Sequence, residues 1–588
     1  MDRHHSCFGH RASVLAVVST VLWAMGSLAG CSDDSGSGLG DAGTDGGADA
    51  RGDADVTSDA RPDGMVEDAG FLRCVIGEAI DDDCLCNGEV AVSGWCCDWG
   101  HQDRPCSAEH CSSYLVDVHI PPYDSNDPQH VLISTEEDWS HINDPDKRVF
   151  FVQPNTVTAD VTITASGSES SPRILALYRD DDTHPGKLSP EEQAKVHLVF
   201  SGASHWIVDR LSSLNDTEQN NAVRVGPACQ DLVFNRMNIT DFHRAFLIQG
   251  SPDSDTRDIT IQQCRMDTMR PEAIDGDNVA ILVSGTPWDE PRTVTNVHIL
   301  ENEIRNANDG VMPLRHPDQA DGHPVNYPGL VVDCNHIYVD EAVYTDGDGN
   351  PDPQSDAEWA LTENAVDIKG GSDDPNNPMI VSNNVFWGYR HTDQNGGGSG
   401  SWGAAVVIHY DVKNLIVEGN VIFDSNRGIG IGDPGGLDYA SEHVVIQDNI
   451  LYDIGKMSDR DNYALYAHSS LDVLFARNTV VAGPDGFVTH WIATSGDTSS
   501  EIIRCNVAVS MDPMSGSRAD DLVVEDNYHY ATERREDTDG PYYPEASAAK
   551  LEDLTFQTDV YSSSPRVMTL PSVLTTAESP HSDWCQDQ

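Results

Sequence analysis

Asn414-Leu415-Ile416-Val417-Glu418-Gly419-Asn420 and His443-Val444-Val445-Ile446-Gln447-Asp448-Asn449 share one form: a short β-branched run that ends on Asn and is followed by a second short apolar run. The form recurs from Asn296 to Asn302, Gly329 to Asn335, Met379 to Asn384, Asp472 to Asn478 and Asp521 to Asn527. From Asn384 onward the repeated Asn residues, passing through Asn506, stand 36, 29, 29, 28 and 21 residues apart. A repeat of this length that carries its own apolar positions is one coil of a solenoid, stable only when stacked on its neighbours.

Apolar positions alternate within each run, and no helix-length periodic segment lies between the runs, so the units are strands. Each strand should pair with its equivalent in the next coil, giving parallel sheets around stacked Val, Ile and Leu. The repeated Asn sits at the corner between two strands, where its amide can bond along the stack. This pattern resembles the right-handed parallel β-helices of the pectate-lyase-like superfamily, over roughly residues 130 to 530. A β-sandwich or propeller is the competing architecture, but a blade needs four strands and these units have room for three. The fold expected is an all-β, right-handed parallel β-helix over 126–530, with Val149-Phe150-Phe151-Val152, Val161 to Thr164, Arg173 to Leu177 and Val196 to Phe200 in its first coils. The tail 531–588 should cap the open end.

Outward from the repeat, the N-terminus has basic residues (Arg3, Arg11), an apolar run from Ala12 to Leu28, and then Leu28-Ala29-Gly30-Cys31. Residues 1–30 read as a bacterial lipoprotein signal peptide and Cys31 as the lipidated residue, with an ordinary signal peptide as the alternative. Ser32 after the Cys favours the outer membrane. The stretch 31–70 is Asp, Gly, Ala and Ser without an aromatic residue; it cannot bury enough apolar surface to offset ordering and reads as a tether. Of 14 cysteines, seven fall between Cys74 and Cys111, so 71–125 reads as a small disulfide-stapled module. Zinc is the weaker alternative, because paired Cys-x-x-Cys arms are missing. The formal charge of −62 makes nucleic-acid binding untenable and demands a locally basic surface for any polyanionic substrate.

Phased by the corner Asn, a third strand precedes each Asn-ended run. If its second and fourth residues point inward, its fifth points to solvent. That outer column reads Arg315, Lys369, His409, Gly432, His468, His490, a basic stripe on an acidic protein. A uronic-acid lyase must neutralise a carboxylate, take the C5 proton and manage the leaving oxygen. Lysine serves as base if cations and burial lower its pKa. The resemblance implies Lys369 as base, Arg315 as acid or carboxylate clamp and His409 as auxiliary. A surface ion pair between Lys369 and Asp367 is the plain alternative.

Asp367 and Glu363 offer hard oxygen ligands for the Ca²⁺ that the resemblance implies. The loop Asp346-Gly347-Asp348-Gly349-Asn350-Pro351-Asp352 is a second calcium candidate, with Asp346, Asp348, Asn350 and Asp352 as donors; its Pro351 departs from an EF-hand, and a solvated acidic loop is an equal reading. Trp402, in a Gly-rich insertion, and Tyr410, with His468 and His490, are expected to bind sugar. The expected protein is a monomeric surface lipoprotein that meets the membrane only through its lipid and acts on an acidic polysaccharide, first as a β-eliminating lyase. The alternatives are a non-catalytic glycan-binding or adhesin protein and a glycoside hydrolase; the latter needs paired carboxylates, of which the outer column offers only Asp367.

Overall fold

The computed structural model describes residues 112–154, 160–178, 196–214, 221–240, 242–267, 279–285, 292–314, 325–340, 363–389, 403–409, 411–432, 441–455, 463–481, 490–495, 499–510, 512–516, 522–525 and 527–531, with short strands at 85–86, 89–90, 95–96 and 104–105. Cys31, the tether, Arg315, the loop carrying Asp346, Asp348, Asn350 and Asp352, Trp402, Tyr410 and nearly all of the tail lie outside the described residues.

Three parallel sheets make a right-handed β-helix. Among the described residues sheet 1 has 15 strands, from His130–Ile133 to Val523–Glu525; sheet 2 has 12, from Asp160–Ile163 to Asp512–Gly516; sheet 3 has 11, from Ser212–Leu214 to Tyr528–Ala531. One coil shows the order: Ser441–Gln447 in sheet 1, Ile450–Tyr452 in sheet 3, Tyr463–His468 in sheet 2, then Ser470–Ala476 back in sheet 1. Equivalent residues stack in register, as Val417 on Ile446 on Phe475. The interior is made of such columns. Phe234, Ile261, Ile299, Val332, Val381, Val417, Ile446 and Phe475 are all fully buried, each contributing about 1.5–3 kcal/mol of apolar burial.

The corner between sheets 1 and 3 explains the repeat. The residue before each ladder Asn has left-handed backbone, with Cys334 at φ 62, Asn383 at 53, Asp448 at 57 and Arg477 at 55. That conformation costs a non-glycine residue roughly 1–2 kcal/mol. It is offset by the following Asn. The backbone N–H and the Nδ2 of Asn420 both donate to Asn449 Oδ1, at 3.0 and 2.9 Å, and Asn449 repeats this to Asn478. A second Nδ2 hydrogen goes to a carbonyl of the preceding coil, Val381 O for Asn420 and Val417 O for Asn449. The ladder runs without a break from Asn302 to Asn527. No other short side chain offers two donors and an acceptor to this corner.

Ahead of the first strand, a strap from Ser112 to Tyr123 crosses the outside of sheet 1. Ser112 N–H donates to Glu301, Val116 exchanges two hydrogen bonds with the Gln262 amide, and Tyr123 meets the Phe151 ring edge-on at 5.4 Å. Cys334 and Cys505 each take part in a separate disulfide, whereas Cys229 and Cys264 are buried and free. Among the described residues no helix is long and apolar enough to cross a membrane.

Candidate functional site

The outward face of sheet 2 presents three columns. Lys369, His409, Gly432 and His468 do stack in one of them, since Ile368 pairs with Ile408, Ile408 with Ile431, and Ile431 with Ala467. Both ends of the expected column differ. Asp309 pairs with Asn364 and Val311 with Val366, so Leu314 rather than Arg315 aligns with Lys369. The strand there is Asp309–Pro313, beginning two residues before the apolar run because Gly310 belongs to it; a Cβ at Gly310 would come within 2.5 Å of Ala365 O and of the Ile337 side chain. At the other end His468 pairs with Ser495, and His490 pairs with Tyr463 in a different column. The strand runs His490–Ser495, starting where the sequence phasing ended it, because the large interior residues are Trp491 and Ile492.

One cluster dominates this face. Lys369 Nζ lies 2.6 Å from Asp367 Oδ2 and His409 Nε2 lies 2.7 Å from Asp367 Oδ1, so an ammonium and an imidazole hold one carboxylate. Asp309, from the preceding coil, and Glu363, just before the Asn364–Ile368 strand, close in behind; one oxygen each of Asp309, Glu363 and Asp367 lie within 4.8 Å of one another. Asp309 escaped the sequence reading because the phasing began this strand at Val311, two residues beyond it. Its signal was available only through the correct strand start, which sets it beside Asn364 on the next rung. The carboxylate pairing that the hydrolase alternative lacked on sequence is therefore present here.

Burial and charge separate these groups. Burial, then the neighbouring Glu363 and Asp367 charges, raise the Asp309 carboxyl well above the usual range, and neither of its oxygens has a well-formed hydrogen-bond partner among the described residues. Burial also works to raise Asp367, but His409 and Lys369 outweigh it and the carboxyl titrates below its ordinary value. For Lys369, burial pulls the ammonium down while Asp367, Asp309 and Glu363 push it up and win. That shift runs opposite to the one a lysine base requires. Asp309 and Asp367 are 0% and 1% exposed, whereas the Lys369 and His409 side chains are 27% and 14% exposed. Lys369 and His409 are the groups that a ligand meets.

Further along the face stands an aromatic and imidazole ledge. Tyr463 and Tyr466 stack at 5.7 Å, Tyr466 and His468 at 6.3 Å, and Tyr463 lies 6.1 Å from His490. Ser495 Oγ ties the ledge together at 2.7 Å from His468 Nδ1 and 3.0 Å from the Tyr466 hydroxyl. Between cluster and ledge the rung is Arg427, Gly430, Gly432. Arg427 is a basic residue of this face that the sequence phasing left out, because it opens a strand otherwise made of Gly and Ile.

No family model matches the chain, and no curated protein matches it. Solved structures do overlap it. The receptor-binding domain of the siphovirus 9NA tailspike is 9% identical, with 70% of this chain and 75% of that one covered at a TM-score of 0.38. An alginate lyase from Paenibacillus sp. str. FPU-7 is 8% identical, covering 68% of this chain and 98% of that one at 0.31. A variant of the periplasmic alginate epimerase AlgG is 11% identical, covering 68% and 86% at 0.33. At overlaps this low the β-helix stands on its own strand ladders, and its chemistry on its own residues.

Proposed function

We propose that this protein is a polysaccharide lyase that cleaves a uronic-acid polymer by β-elimination on the outward face of sheet 2. The observation that carries the reading is the layering of the cluster: on a chain of formal charge −62, the groups that reach solvent are Lys369 and His409, with the acids buried beneath them. Such a spot attracts a sugar carboxylate where the rest of the surface repels it.

The roles follow from the ionisation pattern. Lys369, held as a cation by Asp367, neutralises the substrate carboxylate and so acidifies the C5 hydrogen. His409, oriented through Nε2 by Asp367 as in other Asp–His couples, takes that proton. Electrons from the C5–H bond form the C4–C5 double bond as the C4–O bond breaks, and the imidazolium returns its proton to the leaving oxygen. The base role that the resemblance implied for Lys369 thus passes to His409, and the carboxylate-clamp role it implied for Arg315 passes to Lys369. The hydrolase reading draws on the divergent Asp309 and Asp367 pKa values, but both carboxyls are buried and Asp367 has one oxygen engaged by Lys369 and the other by His409.

Asp309, Glu363 and Asp367 fit a hard cation, since three carboxylates converge and the buried Asp309 oxygens have no well-formed hydrogen bond among the described residues. Calcium bound there would add positive charge beside the substrate carboxylate. The sequence places the mature protein on the outer membrane through a lipid on Cys31, with the acidic tether holding the β-helix off the surface as a monomer.

The test is direct. Purified protein is incubated with polygalacturonate, alginate and glycosaminoglycans, with calcium or with a chelator, and the ultraviolet absorbance of unsaturated products is followed. Absorbance rising on one polymer is the expected result; none on any of them removes the lyase reading and leaves a glycan-binding surface.

A further inference from the structure

The rung between the charged cluster and the ledge is the barest part of the face. Successive rungs read Asn364-Asp367-Lys369, then Ala404-Val407-His409, then Arg427-Gly430-Gly432, then Tyr463-Tyr466-His468 across the three columns. Two of three outward positions on the third rung have no side chain, so the backbone itself is the floor. Rungs are about 4.8 Å apart, so His409 and His468 stand two rungs apart on either side of Gly432, roughly 10 Å. That gap suits one pyranose lying flat, with Arg427 at one end of the floor and the Tyr466 ring along its far side.

The two glycines differ in a way that separates fold from function. Gly432 has φ +86, and a Cβ there would come within 2.2 Å of His468 O, so the backbone requires it. Gly430 has no such requirement: its φ is not left-handed, and a Cβ would meet only Tyr466 Cδ1, at 3.9 Å. Glycine inside a strand weakens it and exposes backbone. A strand position with room for a side chain, without one, and facing outward between Val407 and Tyr466 marks a place where something else lies against the backbone.

We infer that Arg427, Gly430 and Gly432 form a sugar subsite adjoining Lys369 and His409, in which one ring lies on the glycine floor, Arg427 takes its carboxylate and Tyr466 packs along its edge. The inference deepens the lyase reading: the enzyme would require acid groups on neighbouring sugars, and so a polyuronate rather than a chain with a single acidic unit. Guanidinium is suited to this because its planar fork accepts a carboxylate with two parallel hydrogen bonds.

Gly430→Val tests the floor, since valine suits a strand and fills the groove without touching the core. Arg427→Gln tests the clamp. Polygalacturonate and alginate are titrated into wild type and both variants by calorimetry, and product formation is measured on whichever is cleaved. Melting temperatures of Gly430→Val and wild type should agree, while the valine variant should bind or use the polymer at least 10-fold less well through KM; Arg427→Gln should raise KM about 10-fold with kcat retained. Unchanged KM in Gly430→Val, with wild-type cleavage intact, overturns the subsite and leaves the lyase reading standing. Polymer that binds without being cleaved, and binds Gly430→Val less well, supports the subsite and overturns the lyase. Equal binding by Gly430→Val and wild type overturns it, as does the absence of any binding to wild type.

Discussion

From Asn302 to Asn527 the corner after sheet 1 carries one residue type coil after coil, whereas the third outward column of sheet 2 reads Lys369, His409, Gly432, His468, Ser495 over five coils of the same stack. The contrast follows from who bonds to whom. A ladder Asn is bonded by the Asn before it and bonds the Asn after it, so a change on one coil leaves groups unpaired on another. Outward side chains on sheet 2 do bond across rungs, as His409 to Asp367 and His468 to Ser495, but none has to bond a copy of itself, so the column can differ on every rung. The solenoid therefore keeps its identity at the corner and its chemistry on the face. Asp309 and Asp367 cross that division: they belong to the variable face yet are buried, at a cost that only a function for the cluster would retain.

Removing the face's central cation gives the largest expected change. Lys369→Ala should lower product formation about 10³-fold, in the usual range for removing a group that stabilises charge developing in the transition state. The β-helix should persist, because the interior columns and the ladder do not touch Lys369; far-ultraviolet circular dichroism and melting would check this. Activity within 10-fold of wild type would take Lys369 out of the chemistry and leave it as a partner of Asp367.

At the corner the loss appears in stability instead. Asn420→Ala strips the partner from Asn384 N–H, Asn384 Nδ2 and Val381 O together. With about 1–3 kcal/mol for each orphaned buried group, and allowing for overlap, unfolding in urea should become easier by about 3–5 kcal/mol. Placed beside Gly430→Val, which should leave stability unchanged, this measures the division between corner and face. A loss under about 1 kcal/mol would mean that the corner relaxes and the ladder is not what fixes the repeat.

How much of this was legible in the sequence follows the same division. The corner was readable because its side-chain partners are copies of itself: the spacings 36, 29, 29, 28 and 21 between Asn residues recur as the spacings of the observed hydrogen bonds. The face was readable only where apolar alternation fixed the strand, which is why Lys369, His409, Gly432 and His468 fell into line. It failed where the alternation misled: Gly310 hid the start of its strand and with it Asp309, and the phasing took His490 as the last residue of a strand when it is the first of His490–Ser495. The Lys369 shift was legible only in part: Asp367, the strongest charge raising it, stands two residues away, whereas Asp309, the next, is supplied by another coil through space.

The smallest expected effect lies where the two regimes meet. Cys264 occupies the corner position one coil before the first ladder Asn; its N–H donates to Asn302 Oδ1, and its thiol lies 3.6 Å from Phe234 O and 3.3 Å from Gln262 O, the places a ladder amide would reach. Met237 N–H meets the sulfur at 3.4 Å, standing where an Asn Oδ1 would accept. Burial pushes this thiol up to about 12, so it stays protonated and inert at ordinary pH. Cys264→Asn should therefore extend the ladder by one rung, replacing weak sulfur contacts with amide bonds and stabilising the protein by about 1 kcal/mol, whereas Cys264→Val should destabilise it by leaving Met237 N–H unpaired. A destabilised Asn variant would show that the ladder stops at Asn302 because the apolar first coils exclude an amide, and the boundary between corner and core would then be set by the interior.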